Sequence, residues 1–292
     1  MFTHFILSYE GFIMQYKIVA DSSSNIRSLS GVEFENVPLK IITKEKEYVD
    51  VDGLDLEGMV ADLKAYKGTS GTSCPNVYDW MSAFGGAENV FAIAITSNLS
   101  GSCNAARQAA EQYMEENPGR KACVFDSLSA GPELRLIAEK IREGVQAEKA
   151  FEEIQAETEA YMKHTHLLFT LRSLNNLARN GRVSPAVAKL AGVLGIVIVG
   201  KASDEGTLQQ MHKCRGEKRA IDTLYKEMKE HGYDGGRVRI GHNFNPEGAK
   251  VLEGIIRAEY PDADIQTELS MGLCLFYAEE GGLMVGYEDK EA

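Results

Sequence analysis

Two α/β domains in tandem, the first on a parallel sheet and the second on a mixed or antiparallel one, are what this sequence predicts. Three observations carry the prediction. The run Val90 to Ile95 is apolar without alternation, which marks a strand covered on both faces, and it stops at a hydroxyl-rich turn, Thr96, Ser97, Asn98 and Ser100. An amphipathic segment, Cys103 to Tyr113, begins directly afterwards. The turn therefore faces free helix N–H groups at the carboxyl edge of a sheet, where open α/β proteins bind ligands. Up to Met162 strands alternate with helices of crossover length, which specifies a Rossmann-like parallel sheet; beyond His164 hairpins and helices mix. On that change of texture the predicted domains are residues 14–163 and 164–292.

Composition narrows the function. With 292 residues, 44% of them hydrophobic and 25% charged, the chain is long enough for two cores. A net charge of −12 argues against nucleic acid or an anionic membrane surface as a direct partner. The cysteines, Cys74, Cys103, Cys123, Cys214 and Cys274, are odd in number and scattered, with no CxxC pair, so reduced thiols and a cytoplasmic setting are expected. The opening stretch FTHFILSYEGFI is too short to span a bilayer, lacks a basic start and carries Glu10. It reads as an over-long translation start or a docked extension, with the folded chain beginning near Met14.

In chain order, Tyr16 to Ala20 reads as a strand ending in a polar turn, Asp21 to Asn25. Val37 to Thr43 and Glu47 to Val51 read as short strands, and Leu56 to Tyr66 as a helix. Thr69 to Ser73, with Cys74 and Pro75, reads as an N-cap signature opening a helix over Val77 to Phe84. After the central strand and its helix come a strand, Ala122 to Phe125, and helices over Pro132 to Val145 and Glu148 to Met162. The strand His166 to Leu171 leads into a small-residue helical hairpin, Leu171 to Gly195, punctuated by Gly181 and Pro185. A β-hairpin turning at Asp204 to Gly206, a helix over Glu217 to His231, a strand over Arg237 to Phe244, a helix over Pro246 to Tyr260 and a strand over Ala263 to Leu269 follow. A final pair of strands is expected within Leu273 to Tyr287.

Six motifs then line up. They are DSSS (Asp21 to Ser24), TSCP (Thr72 to Pro75), SNLSGS (Ser97 to Ser102), FDSLSAG (Phe125 to Gly131), LNNLARNGRVS (Leu174 to Ser184) and KCRGEKRAI (Lys213 to Ile221). In this order they resemble the DegV family, over nearly the whole chain from about Met14 to Tyr287. The resemblance implies a two-domain α/β fold that holds one long-chain fatty acid in a tunnel. It further implies the binding subunit of a bacterial fatty acid kinase, which presents the acyl carboxylate to a separate ATP-dependent catalytic subunit and serves phospholipid metabolism. No catalytic residue, cofactor or metal of its own is implied, and a monomer is expected.

Carried over position by position, the resemblance assigns the carboxylate to Thr72 and Ser100, with Ser73, Cys74, Ser97 and Gly101 around them. Two hydroxyl donors beside free helix N–H groups satisfy a carboxylate without a buried countercharge, which leaves it a usable nucleophile. For an isolated Ser or Thr before a helix, the plainer role is that of a cap. Arg182 and Arg215 match family arginines and are assigned to partner docking. Two departures stand out. The family's Gln in TSQP is Cys74, and its late HTGxG motif is represented by Tyr277, Ala278, Glu279, Glu280 and Gly281. Tyr277 then replaces a carboxylate-contacting histidine, while Glu279 and Glu280 bring negative charge to a turn that is normally neutral.

The residues themselves leave competing classes. A hydrolase using Ser100 as nucleophile would need a GxSxG elbow with a following His and Asp, and NLSGS supplies none. A nucleotide-binding transferase would need a glycine-rich phosphate loop, which is not present. Asp21 and Asp126 follow strands and read as turn-forming residues rather than an acid–base pair. The six histidines show no metal-ligand spacing beyond His164 and His166. A lipid site needs apolar walls and few convergent polar groups, which strand ends and the small-residue helices from Ala178 to Gly195 supply.

Overall fold

The computed structural model describes residues 16–184 and 195–292. The apolar opening stretch and most of the expected hairpin beyond Ser184 lie outside the described residues. The first half runs β1 (Tyr16–Asp21), β2 (Glu33–Val37), β3 (Lys40–Ile42), β4 (Glu47–Val49), α1 (Leu56–Ala65), β5 (Gly71–Ser73), α2 (Val77–Phe84), β6 (Asn89–Ala94), α3 (Ser102–Glu116), β7 (Lys121–Asp126), α4 (Pro132–Gln146) and α5 (Phe151–Tyr161). The second half runs β8 (Thr165–Leu171), α6 (Asn175–Arg179), β9 (Ile196–Ala202), β10 (Leu208–Arg215), α7 (Glu217–Glu230), β11 (Val238–His242), α8 (Pro246–Glu259), β12 (Ile265–Leu269), α9 (Gly272–Ala278) and β13 (Leu283–Glu288).

The first sheet has the order β2-β1-β6-β7 with every pair parallel. All residues of β1 and β6 are buried, because helices cover both faces. On one side α2 and α3 pack Trp80, Phe84 and Ala106 against Val19, Val90 and Ala92. On the other, α4 and α5 pack Leu134, Ile137 and Phe151 against Ile18, Phe91 and Ile93. A small antiparallel sheet, β4-β3-β5, stands beside it.

The second sheet has the order β10-β9-β8-β13-β11-β12, antiparallel except for the parallel pair β11–β12. One face carries α7 and α8 through Ile221, Leu224, Leu252 and Ile256. The opposite face meets α4, so that helix is shared between the two sheets. Gly286 of β13 permits the approach: a Cβ there would lie 2.6 Å from the Glu133 nitrogen. A buried ion pair clamps the same contact, with Arg239 Nη2 2.8 Å from Glu139 Oε2.

Four expectations are corrected. Val37 to Thr43 is not one strand: Val37 ends β2 and Lys40 starts β3 in another sheet, divided at Pro38, which has no N–H for a ladder. The helix after TSCP is capped by Asn76, whose side chain accepts from Asp79 N–H in a reciprocal capping box, so Pro75 lies outside the helix and Thr72 and Ser73 are strand residues. The helix expected from Glu148 starts at Phe151. The final pair of strands is a helix and one strand, α9 and β13.

The reason for α9 lies 222 residues earlier. Asp50 Oδ1 accepts the Gly272 N–H at 2.6 Å and Oδ2 accepts the Leu273 N–H at 2.9 Å, capping a helix that LCLFYA does not announce locally. Gly272 is required by closeness, since a Cβ would sit 2.8 Å from Asp50 Oδ1. Burial pushes the Asp50 carboxyl up to about 6 against the pull of those N–H groups. Burial likewise pushes Glu133, which accepts from Thr165 Oγ1, up to about 7.

A folded carboxyl that keeps its proton longer than the unfolded one stabilises the fold below its unfolded value, and that contribution is lost as pH rises through the folded value. Asp50 and Glu133 together predict a thermal midpoint that falls as pH rises from 5 to 8. In Glu133→Gln the part of the fall around pH 6 to 7 disappears; an unchanged pH profile in melts followed by circular dichroism contradicts this.

Candidate functional site

The turn after β6 is built by buried carboxylates and backbone. Asp21, at the end of β1 and fully buried, accepts the Ile95 N–H at 3.0 Å and the Ser102 hydroxyl at 2.7 Å. Asp126, at the end of β7, accepts the Ser97 N–H at 3.0 Å. Both are thus the turn-fixing residues that their positions suggest. Burial raises the Asp21 pKa, and the donors around it oppose that rise. Held in this way, the Leu99 and Ser100 N–H groups close on the Thr96 carbonyl, and Ser100 Oγ accepts the Ser102 N–H at 3.3 Å. The N-cap of α3 is Gly101, so Ser100 makes a local turn bond rather than a cap, and it also reaches a cavity wall.

That wall is assembled from distant segments. β5 pairs with β3, placing Thr72 opposite Ile41. Thr72 Oγ1 and Tyr277 Oη, 205 residues apart, lie 2.7 Å from each other. Tyr277 sits one residue from the end of α9, on the helix that Asp50 caps. Arg182 donates from Nε to the Leu99 carbonyl at 3.2 Å and also bonds the Asn180 carbonyl, with its guanidinium 5.9 Å from the centre of the Tyr277 ring. Thr72, Ser100, Arg182 and Tyr277 therefore stand close together in the wall of a small cavity of about 70 Å³. The rest of its wall is apolar, with Leu39, Ile95, Leu167, Phe169, Leu273 and Met284 from both sheets and α9.

The other expected site residues stand apart from this wall. Ser73 follows Thr72 in β5, and Ser97 is exposed in the turn. Cys74 is exposed, and a Cβ on Gly101 would sit 3.2 Å from its Sγ, so these two form an outer rim beside Ser100. Arg182 belongs to the cavity, whereas Arg215 is exposed at the end of β10, opposite Ile196. The negative charges near Tyr277 are matched within the chain. Glu279 accepts from Ser173 Oγ at 2.8 Å and from the Asn176 N–H at 3.0 Å, and Glu280 pairs with Lys64. His164 and His166 both face Asp289, away from the cavity. Among the described residues no group of His, Cys, Asp and Glu has the arrangement of a metal site.

The sequence reading missed Asp50, Leu39, Leu273 and Met284. Nothing local marks Asp50, since its partners lie across the whole chain. An alternating pattern in Leu167, Phe169 and Leu171 was available as the sign of one strand face.

Fold and cavity define a class: an α/β protein of two large sheets and one small one, with an apolar pocket whose few polar groups are mainly hydroxyls. The chain belongs to the DegV family, and the model described as "Uncharacterised protein, DegV family" matches residues 15–290. A DegV domain-containing protein of Streptococcus pyogenes serotype M1 is 41% identical over 279 residues, 94% of this chain and 100% of the relative. Among solved structures, a DegV family protein from Eubacterium eligens loaded with heptadecanoic acid matches with a TM-score of 0.92 at 41% identity, covering 94% of this chain and 100% of the other. The Streptococcus pneumoniae Fatty Acid Kinase (Fak) B3 protein loaded with linoleic acid matches with a TM-score of 0.92 at 40% identity, covering 94% and 99%.

The rim makes a chemical prediction. Burial pushes the Cys103 thiol up to about 12 and raises Cys123 and Cys274 as well, while Cys214 is buried. Native protein treated with a thiol-reactive disulfide is expected to release about one equivalent quickly, from Cys74, and the remainder only in denaturant. Fast labelling that persists in Cys74→Ser would contradict it.

Proposed function

We propose that this protein binds one long-chain fatty acid, with its carboxylate among Thr72, Ser100 and Tyr277, and presents it to a separate fatty acid kinase catalytic subunit. The observation that carries the reading is the polarity of the cavity, whose hydroxyls and Arg182 cluster together in an otherwise apolar wall. The fatty acids named for relatives at 40% and 41% identity support it. Burying about 14 methylenes at ~0.8 kcal/mol each supplies roughly 11 kcal/mol before ordering costs. The tail gives affinity and the hydroxyls give direction. Because the cavity of about 70 Å³ is smaller than such a chain, this reading requires Met284 and the leucines of the wall to change rotamer on binding.

On binding, the Thr72 and Tyr277 hydroxyls exchange their mutual bond for bonds to the carboxylate. Ser100 has its oxygen on the Ser102 N–H, so its O–H is free to donate. A carboxylate held by hydroxyls rather than by a bidentate guanidinium stays reactive toward ATP. Phosphoryl transfer needs positioned phosphates and their metal ions, so it belongs to the partner. Residues 14–163 supply the turn and β5 hydroxyl, residues 164–292 close the pocket, and the exposed Arg215 serves docking. The protein acts as a monomer in the cytoplasm on this reading. No helix among the described residues is long and apolar enough to cross a membrane. A Ser100 hydrolase is the weaker alternative, because the described polar groups of the cavity wall bring no imidazole to Ser100.

Ser100→Ala and Thr72→Val are each expected to lose roughly 1.5 to 3 kcal/mol of binding, about 10- to 150-fold in Kd, with the thermal midpoint little changed. Displacement of a fluorescent fatty acid measures the effect. Wild-type affinity in both variants would sink the carboxylate assignment, and failure of native mass spectrometry to detect bound or added palmitate would sink the function.

Reconstitution tests the partner. With the kinase catalytic subunit from the same source and labelled ATP, acyl-phosphate is expected with wild type and is reduced at least tenfold in Arg215→Ala, while fatty acid binding persists. Acyl-phosphate formed by this chain alone would overturn the non-catalytic role.

A further inference from the structure

We infer that Leu167 sets the longest acyl chain this protein accepts, by separating the apolar pocket from a second cavity whose wall carries polar and charged side chains. This deepens the fatty acid reading and rests on it. Alternate residues of a strand share a face, and on the pocket face of β8 they run Leu171, Phe169, Leu167, Thr165. The first three line the apolar pocket. Leu171 stands near the hydroxyl cluster: a Cβ on Gly282 would lie 3.2 Å from Leu171 Cδ2 and 2.8 Å from the carbonyl of Ala278, the residue after Tyr277. Leu167 is four residues further along, about 13 Å at ~3.3 Å per residue.

The next position on that face is polar. Thr165 Oγ1 donates to Glu133 Oε1 at 2.8 Å, and both residues are buried. They belong to a cavity of about 410 Å³ that also takes in His166, Lys201 and Tyr287. It forms where β9 has turned away, since β8 pairs with β9 from Leu168 to Leu171 and the register does not continue to Thr165. Among the described residues, Leu167 alone lines both cavities. It is 2% exposed, so it fills the partition.

A methyl terminus that passes Leu167 leaves an apolar wall for a carboxyl and a hydroxyl, displacing water whose hydrogen bonds it cannot replace. Each added methylene therefore strengthens binding only until the chain reaches this side chain. Kd is to be measured for saturated acids of 8 to 22 carbons, by displacement of a fluorescent fatty acid, on wild type, Leu167→Ala and Leu167→Phe. In wild type Kd is expected to fall about fourfold per methylene and then level off. Leu167→Ala raises that ceiling by two carbons or more and tightens the longest acid at least tenfold. Leu167→Phe lowers the ceiling, weakening the longest acids more than the shortest. Leu167→Val replaces the alanine variant if circular dichroism shows that chain unfolded. A ceiling unmoved by either enlarging or shrinking the side chain overturns the inference while fatty acid binding stands. No displacement from wild type by any acid overturns the reading beneath it.

Discussion

The contact between the Asp50 carboxylate and the first N–H groups of α9 is the constraint on which the pocket depends. A helix of this length has too little internal hydrogen bonding to hold itself, and its sequence reads equally well as a strand. Capping by a buried carboxylate fixes both its existence and its rotation. With the helix so turned, Leu273, Cys274, Tyr277 and Ala278 present one face to the cavity, the spacing expected of neighbours on a helix. Asp50 itself follows β4, so the small antiparallel sheet that carries Thr72 and the helix that carries Tyr277 are held to one another. The 2.7 Å approach of those two hydroxyls is the result.

Asp21 performs the matching task on the other wall. Its oxygens receive donors from Ser23, Ile95 and Ser102, which locks the end of β1 to the turn after β6. Burying a carboxylate is costly, and the cost is offset only where several donors converge on it. Both carboxylates meet that condition. Neither lies in the cavity wall, so the acids organise the site while the hydroxyls face whatever occupies it. Glu279 acts in the same way at the start of α6, on the side chain of Ser173 and the backbone of Asn176. The charge that looks disruptive in the motif is used internally.

The helix α4 has a third role, since it is buried against both sheets. Its apolar face serves the first core. Its acidic residues serve the junction, through Glu139 on Arg239 and Glu133 on Thr165. The burial of Glu133 between two sheets, rather than any partner charge, is what raises its pKa.

Much of this architecture was legible in the residues. The unbroken apolar run of β6 reports a strand covered on both faces, and the hairpin β9–β10 announces itself at Asp204 to Gly206, because both signals are local. Ser100 and Thr72 were legible through their motifs. The form of their setting was not, since Thr72 looks like a cap beside Pro75 and proves to be a strand residue once Asn76 takes the cap. Polar edge strands such as β2, and short apolar segments such as LCLFYA, carry no decisive period. By itself the sequence determined the parallel first sheet, the change of texture near His164 and the hydroxyls at the strand end, because each follows from neighbours along the chain. Only the tertiary structure decided that 272–278 is helical, that Tyr277 meets Thr72, and that Leu167 stands between the apolar pocket and a second cavity with polar and charged side chains in its wall. Those outcomes depend on groups up to 223 residues apart, whose meeting is set by packing and by hydrogen bonds to buried carboxylates rather than by local pattern.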